Sequence, residues 1–178
     1  MQDGELSIRP MRDEPSEYAL LARWLSDERV LEWYGGRDDP CDEAAAREHY
    51  GPRVRGEEDI PQWFLELDGQ PIGHAQTYRV GIDDQDARVE LVPPDTGAID
   101  IFIGEPELWG RGYGTRFLRL LIDHLLASGC PSVSIDPHLV NTRAIRTYEK
   151  AGFRKVQVME RAELHEGQWR DSWLMVTP

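Results

Sequence analysis

The sequence predicts an α/β domain built on a mixed sheet, with helices and strands partly segregated along the chain in the α+β manner. Three observations predict it. A short apolar strand, Asp100 to Ile103, runs into a loop with glycines at alternate positions, Gly110, Gly112 and Gly114, and then into a helix with an apolar stripe. A second short strand ending at Asp136 follows that helix, and a crossover of this kind sets two strands parallel. Two hairpin signals, Asp68-Gly69 and His165-Glu166-Gly167, make the rest of the sheet antiparallel. At 178 residues the chain is one domain's worth, spanning 1–178, and long enough for a real core.

The elements follow in order. Leu6 to Met11 alternates and reads as a first strand. Asp13, Pro15 and Ser16 are a helix-start cluster, and Leu20, Leu21, Trp24 and Leu25 form the stripe behind it. The stripe breaks near Asp27, resumes at Val30 and Leu31, and closes at Gly35-Gly36. Trp33 and Tyr34 beside that turn are either core plugs or a flat wall for a ligand. Asp42 caps a second helix that runs through Ala46, His49 and Tyr50 and is expected to stop at Gly51-Pro52. Gln62 to Asp68 and Ile72 to Val80 are the arms of the first hairpin. Residues 81–97 are the least regular stretch and carry Asp83, Asp84, Asp86, Glu90 and Asp95. So long a loop is usually functional, which makes it either a solvated loop or an acidic flap that meets a polyamine. Phe117, Leu118, Leu121, Ile122, Leu125 and Leu126 mark the helix after the glycine loop. Asn141 caps the next helix, Gly152 is its left-handed stop, and Phe153 to Leu164 with Gln168 to Val176 form the closing hairpin.

The glycine loop carries the first chemical signal. Amides at a helix start have no intrahelical partner, and the helix dipole favours negative charge there. The backbone of Gly112, Tyr113, Gly114 and Thr115 is therefore placed to hold a pyrophosphate. A P-loop would need Gly-Lys-Ser/Thr, and this loop has Gly-Thr without the lysine. A dinucleotide fingerprint belongs in the first βα unit, whereas this loop lies past the middle of the chain. On the loop alone, an ordinary strand-to-helix connection is an equal reading.

Composition narrows the classes. Hydrophobic residues make up 40% and charged residues 30%, a soluble globular mix. A formal net charge of −13 argues against nucleic acid and anionic membranes and suits a cationic partner, although acidity also serves solubility. The two cysteines, Cys41 and Cys130, form neither a metal spacing nor a disulfide framework, and the five histidines show no zinc motif. The N-terminus lacks a basic region followed by an apolar run, so a cytoplasmic location is expected.

Two blocks together carry a resemblance. Trp109-Gly110-Arg111-Gly112-Tyr113-Gly114 and the segment from Asn141 to Phe153 resemble the GNAT superfamily of acetyl-CoA-dependent N-acetyltransferases, whose loop reads Gln/Arg-x-x-Gly-x-Gly/Ala. Trp109 departs from that pattern at its first position. Glu32-Trp33-Tyr34-Gly35-Gly36, Gly69 to Tyr78, Gly97-Ala98-Ile99-Asp100 and Ile135-Asp136-Pro137 are similar to the aminoglycoside 6′-N-acetyltransferases. The resemblance implies the GNAT fold: a mixed, mostly antiparallel central sheet of about seven strands flanked by about four helices. Between its two central parallel strands it has a V-shaped splay that admits the acyl-pantetheine arm.

The same resemblance implies the site. Acetyl-CoA is the co-substrate, and no metal is needed. Phe102, Ile103, Trp109, Gly110, Arg111, Gly112, Tyr113, Gly114, Thr115 and Asn141 are its expected contacts, with a strand amide of Phe102 or Ile103 on the carbonyl oxygen. Arg111 and Arg116 either pair with CoA phosphates or are surface charges. Trp33, Tyr34, Tyr78, Glu90, Asp100 and Asp136 are the expected substrate contacts, the aromatics forming a wall for a sugar ring. Asp100 and Asp136 can face one cleft, with Asp100 the expected base or amine holder and Asp136 either the second carboxylate or a turn residue before Pro137; Tyr148 is the candidate acid for the leaving thiolate and equally a core tyrosine on the face it shares with Ile145. The function so implied is acetylation of an aminoglycoside 6′-amine by direct transfer, giving antibiotic resistance. The expected partner is thus a cationic small molecule, not nucleic acid or membrane, and the protein a monomer or homodimer. Two alternatives stand beside it: an acetyltransferase for another amine, such as a siderophore hydroxylysine-type amine or a protein N-terminus, and a non-catalytic acyl-CoA or polyamine-binding module.

Overall fold

A computed structural model describes residues 1–81, 88 and 90–178. Eight strands are found among them: β1 (Gln2–Asp3), β2 (Leu6–Pro10), β3 (Gln62–Leu67), β4 (Gln70–Arg79), β5 (Gly97–Ile103), β6 (Val133–Ile135), β7 (Arg154–His165) and β8 (Gln168–Val176). They form one sheet in the order β1-β2-β3-β4-β5-β6-β8-β7, with β5 and β6 as its parallel pair. Five helices accompany it: α1 (Pro15–Trp24), α2 (Glu28–Leu31), α3 (Glu43–Val54), α4 (Tyr113–Ala127) and α5 (Thr142–Ala151). The eighth strand, two-residue β1, and the four-residue α2 lie below the length at which sequence periodicity gives a signal.

The local rules behind the elements are visible. Asp27, Asp42 and Asn141 each accept a backbone N–H at the start of α2, α3 and α5. Asp68 (φ 49°) and Gly69 (φ 74°) join β3 to β4, and Glu166 (φ 49°) and Gly167 (φ 68°) join β7 to β8, both with the positive dihedrals of a two-residue hairpin turn. The expected stop at Gly51-Pro52 fails. The helix runs on to Val54 with Pro52 inside it, because a proline in the last turn removes only one ladder bond. Leu126, expected on the buried stripe of α4, is 40% exposed.

The chain packs as two compact units, Met1–Gln76 with Ile101–Tyr113, and Thr77–Asp100 with Gly114–Pro178. The first has a core of Met11, Tyr18, Leu21, Trp24, Leu25, Phe64 and Phe102, among others. His74 lies in it fully buried, its ring between Tyr50, Phe64 and Phe102, with neither ring nitrogen hydrogen-bonded. Burial, reinforced by the nearby charges of Arg53 and His49, pulls its pKa down to about 3. The folded state therefore holds His74 neutral where the unfolded chain would protonate it. Below pH about 6.5 the unfolded chain binds the extra proton, so stability falls as pH drops towards 3, by at most about 1.4 kcal/mol per unit from this residue. Replacing His74 with phenylalanine is expected to flatten the stability–pH profile between pH 6 and about 4, read by urea unfolding at each pH. An unchanged slope would show that His74 does not contribute to it.

The second unit packs α4 through Phe117, Leu118, Leu121, Ile122 and Leu125. Its parallel pairing is brief, Gly97 with Val133 and Ala98 with Ser134. Along its other edge β6 pairs with β8, Ser134 with Val176 and Ile135 with Met175, while no pair with β5 follows Ser134 among the described residues. The pairing thus opens where the V-shaped splay is expected.

Candidate active site

Strand β5 sets the frame. Gly104 N donates to Ile72 O at one end, and Gly97 N donates to Ser132 O at the other. Alternation along the strand then turns even-numbered amides towards β4 and odd-numbered ones to the opposite edge. Of the two amides expected to hold a carbonyl oxygen, Ile103 lies on the open edge and Phe102 faces β4. Phe102 is buried and packs against Tyr34 with ring centroids 4.7 Å apart and the rings tilted by 55°. Tyr34 is thereby part of the core packing, while Trp33 is partly exposed beside it.

The loop after β5 is tied back by an unexpected residue. The Trp109 indole N–H donates to Ile103 O at 2.8 Å, and its ring packs against the first unit's core. A tryptophan at the position where the family pattern has Gln or Arg therefore anchors the loop to the strand. Gly110 (φ 76°) and Gly112 (φ 88°) take left-handed conformations, and a Cβ on either would meet no atom within 4 Å. The loop backbone is thus uncovered, and α4 starts at Tyr113, leaving its first-turn amides without intrahelical partners. Two left-handed glycines facing open space, followed by helix-start amides without intrahelical partners, fit a pyrophosphate, while Gly114 lies against the Thr147 side chain. Arg111 is exposed, Gly114 and Thr115 are partly exposed, and the Thr115 hydroxyl donates to Thr147 O at 3.4 Å. The Asn141 side chain accepts from Ala144 N at 3.1 Å, so its helix-capping role is fulfilled.

The second unit gathers the titratable groups. Tyr78 Oη donates to Asp100 Oδ1 at 3.3 Å. Arg88 donates to Tyr78 Oη at 2.9 Å and to Asp136 Oδ1 at 3.1 Å, and its guanidinium lies over the Tyr78 ring, 5.4 Å from the centroid. Arg88 is buried and Asp136 half-buried. Tyr148 keeps part of its surface exposed. Loss of solvation, then the negative charge of Asp100 and, less strongly, that of Asp136 hold the Tyr148 phenol well above its ordinary pKa. Burial and Asp100 push the Tyr78 phenol up likewise, with Arg88 opposing. Both hydroxyls therefore stay protonated at neutral pH. Asp100, Asp136, Tyr78 and Tyr148, all expected from the sequence, share one electrostatic environment.

Arg88 is the member that sequence reasoning missed. It sits in a stretch read as an acidic flap, and a lone arginine among five acids shows no pattern. The expected contact Glu90 is exposed, while Asp83, Asp84 and Asp86 lie outside the described residues. Among the described residues no helix is long and apolar enough to cross a membrane.

Known proteins resemble this chain over most of its length. Residues 13–161 match the family model of the acetyltransferase (GNAT) domain. The aminoglycoside N(6')-acetyltransferase type 1 of Klebsiella pneumoniae is 34% identical over 155 residues, covering 86% of this chain and 76% of that protein. The crystal structure of aminoglycoside acetyltransferase AAC(6')-Ib in complex with coenzyme A superposes with a TM-score of 0.81 at 29% identity, covering 97% of this chain and 94% of the other. Its complex with coenzyme A and kanamycin gives 0.80 at 28% identity, with the same coverage. With the strand, uncovered glycine loop and helix in place and the match spanning most of its length, the chain belongs to the GNAT acetyltransferase family.

Proposed function

We propose that this chain transfers an acetyl group from acetyl-CoA to the 6′-amine of aminoglycoside antibiotics. The observation that carries the reading is the hydrogen-bonded chain Asp100–Tyr78–Arg88–Asp136, whose two carboxylate charges both act on the Tyr148 phenol, on a chain 34% identical to an aminoglycoside N(6')-acetyltransferase. Acetyl-CoA supplies a thioester; the residues supply the rest. A sugar amine is mostly ammonium at neutral pH and must lose a proton before it attacks. Asp100 is assigned that task. Asp136 is engaged by Arg88, and of the two carboxylates Asp100 acts more strongly on Tyr148. Tyr78 orients Asp100 through its hydroxyl, and Arg88 holds both Tyr78 and Asp136 in place.

The Ile103 amide is assigned to the thioester carbonyl oxygen, where a fixed donor stabilises developing charge. The uncovered backbone from Gly110 to Thr115 is assigned to the pyrophosphate, with Arg111 flanking it. Trp33 and the ring of Tyr34 are assigned to the sugar. Tyr148 faces the leaving sulfur. A thiol has a pKa near 8.5, and the phenol of Tyr148 lies well above that, so complete proton transfer from Tyr148 would run uphill. Tyr148 therefore acts chiefly by donating a hydrogen bond to the departing sulfur, and it remains able to donate throughout the working pH range. The second proton, on the nitrogen of the adduct, passes to that sulfur as the C–S bond breaks, so that CoA leaves as the thiol and Asp100 returns the first proton to water.

The test is thiol release from acetyl-CoA with kanamycin and tobramycin, set against analogues bearing a 6′-hydroxyl. Release with the amines alone establishes reaction and position together. Stabilisation by acetyl-CoA without release would keep the fold and overturn the substrate. In the same assay Tyr148→Phe is expected to lower kcat about 10²-fold with KM little changed. Unchanged turnover would remove Tyr148 from the chemistry.

A further inference from the structure

Outside the tyrosine–aspartate cluster, three metal-ligating side chains of the second unit converge. His138 follows β6, and its backbone bridges to Ser172 of β8. Glu163 and His165 stand two residues apart at the far end of β7, which puts them on one face of the strand. One ligand atom from each of the three lies within 4.8 Å of the others. His138 Nε2 and Glu163 Oε2 are 2.7 Å apart, and the two imidazoles meet edge to face with centroids 4.9 Å apart.

The backbone is shaped to bring them together. Between the pairs Met159–Ser172 and Glu163–Arg170, β7 advances four residues while β8 advances two. Arg161 takes up the excess at φ 51°, and its N–H donates to Asp171 Oδ1 at 2.9 Å. A bulge of this kind re-aims the side chains beyond it, which here are Glu163 and His165.

His165 is the telling member. It is 3% exposed, and neither of its ring nitrogens has a hydrogen-bond partner. An imidazole buried with both nitrogens unmet is costly, because each lost its water without a replacement. A metal ion would satisfy one of them. His138 is also buried, while the Glu163 side chain is half exposed and leaves a route from solvent.

We infer that His138, Glu163 and His165 form a binding site for one divalent transition-metal ion of the Zn2+ class, with water in the fourth position. Two imidazoles and a carboxylate are a nitrogen-rich set that suits Zn2+ or Co2+, whereas Mg2+ and Ca2+ prefer oxygen. Ligand atoms of a tetrahedral zinc lie about 3.3 Å apart, given bonds of about 2.0–2.1 Å. The separations seen here, from 2.7 Å to at most 4.8 Å, bracket that value, so small side-chain rotations close the site. The ion would tie the segment after β6 to the end of β7 across β8.

The experiment uses the full chain without an affinity tag, stripped with chelator and titrated with Co2+ and then Zn2+. One equivalent of tetrahedral Co2+, visible by its d–d absorption and displaced by Zn2+, is expected, with a melting temperature that rises with free Zn2+. His165→Ala and Glu163→Gln are each expected to weaken binding at least about tenfold with unchanged circular dichroism. If His165→Ala fails to fold, Glu163→Gln still decides, since it changes an exposed side chain. Absence of stoichiometric binding, equal affinity in Glu163→Gln, or a thiolate charge-transfer band from Cys41 or Cys130 would each overturn the assignment.

Discussion

Asp100→Asn is expected to lower kcat/KM for kanamycin by about 10²–10⁴-fold, the range over which a positioned general base contributes. The amide is nearly isosteric and can still accept from the Tyr78 hydroxyl, which sits 3.3 Å from Oδ1, so the fold should survive the change. What is lost is the group that accepts the amine's proton. Two readouts separate this from a loss of binding. A base removed from the chemical step lowers kcat, whereas a lost ammonium contact shows first in KM. In addition, residual activity of the variant should climb with pH as more of the amine deprotonates unaided. If Asp100→Asn retains turnover and pH dependence, while Asp136→Asn loses them, the roles of the two carboxylates are reversed. If both retain them, the amine arrives already neutral and needs no base from this cluster.

The largest expected effect on stability comes from adding one methyl group. Gly104 follows β5, and a Cβ there would clash with the indole ring of Trp24. Trp24 has nowhere to go. It is 1% exposed, it meets Phe64 and Phe102 edge-on at 5.7 and 6.1 Å, and its N–H donates to Glu105 Oε1 at 2.9 Å. Overpacking usually costs 1–3 kcal/mol, and a clash against a pinned aromatic ring belongs at or above the top of that range. Gly104→Ala is therefore expected to destabilise by about 3 kcal/mol or more, lowering the melting temperature by roughly 6–12 °C. Gly110→Ala is the matched control. Its Cβ would meet nothing, so only the left-handed backbone, φ 76°, opposes it, at about 1–2 kcal/mol. A smaller melting shift for Gly104→Ala than for Gly110→Ala would mean that Trp24 can move aside.

Those two glycines also show what was legible in the sequence. Gly110 belongs to an alternating pattern that announces a turn and a phosphate-type loop. Gly104 announces nothing, because its requirement comes from a tryptophan eighty residues earlier. The caps at Asp42 and Asn141, the Asp68-Gly69 turn and the left-handed Gly152 were readable since each is settled within four or five residues. Asp100, Asp136, Tyr78 and Tyr148 could be singled out through family resemblance and their places on strand ends and helix face. Arg88 could not, as its role follows from reaching Tyr78 and Asp136, ten and 48 residues away. Trp109 shows a subtler limit: its departure from the family pattern was plain, but its bond to Ile103 O was not. His138, Glu163 and His165 converge only after a hairpin and a bulge have formed, so no spacing in the sequence betrays them.

The strand order of the second unit has a consequence for how the chain is made. β6 lies between β5 and β8, yet β8 follows every other strand in the chain. During translation β6 must wait for β8 with one edge unpaired, and an unpaired apolar edge is an invitation to pair with the wrong chain. Nascent chains stalled before Gln168 should be the ones that recruit chaperones or aggregate. The closing hairpin is thus the step that commits a newly synthesised molecule to its native state.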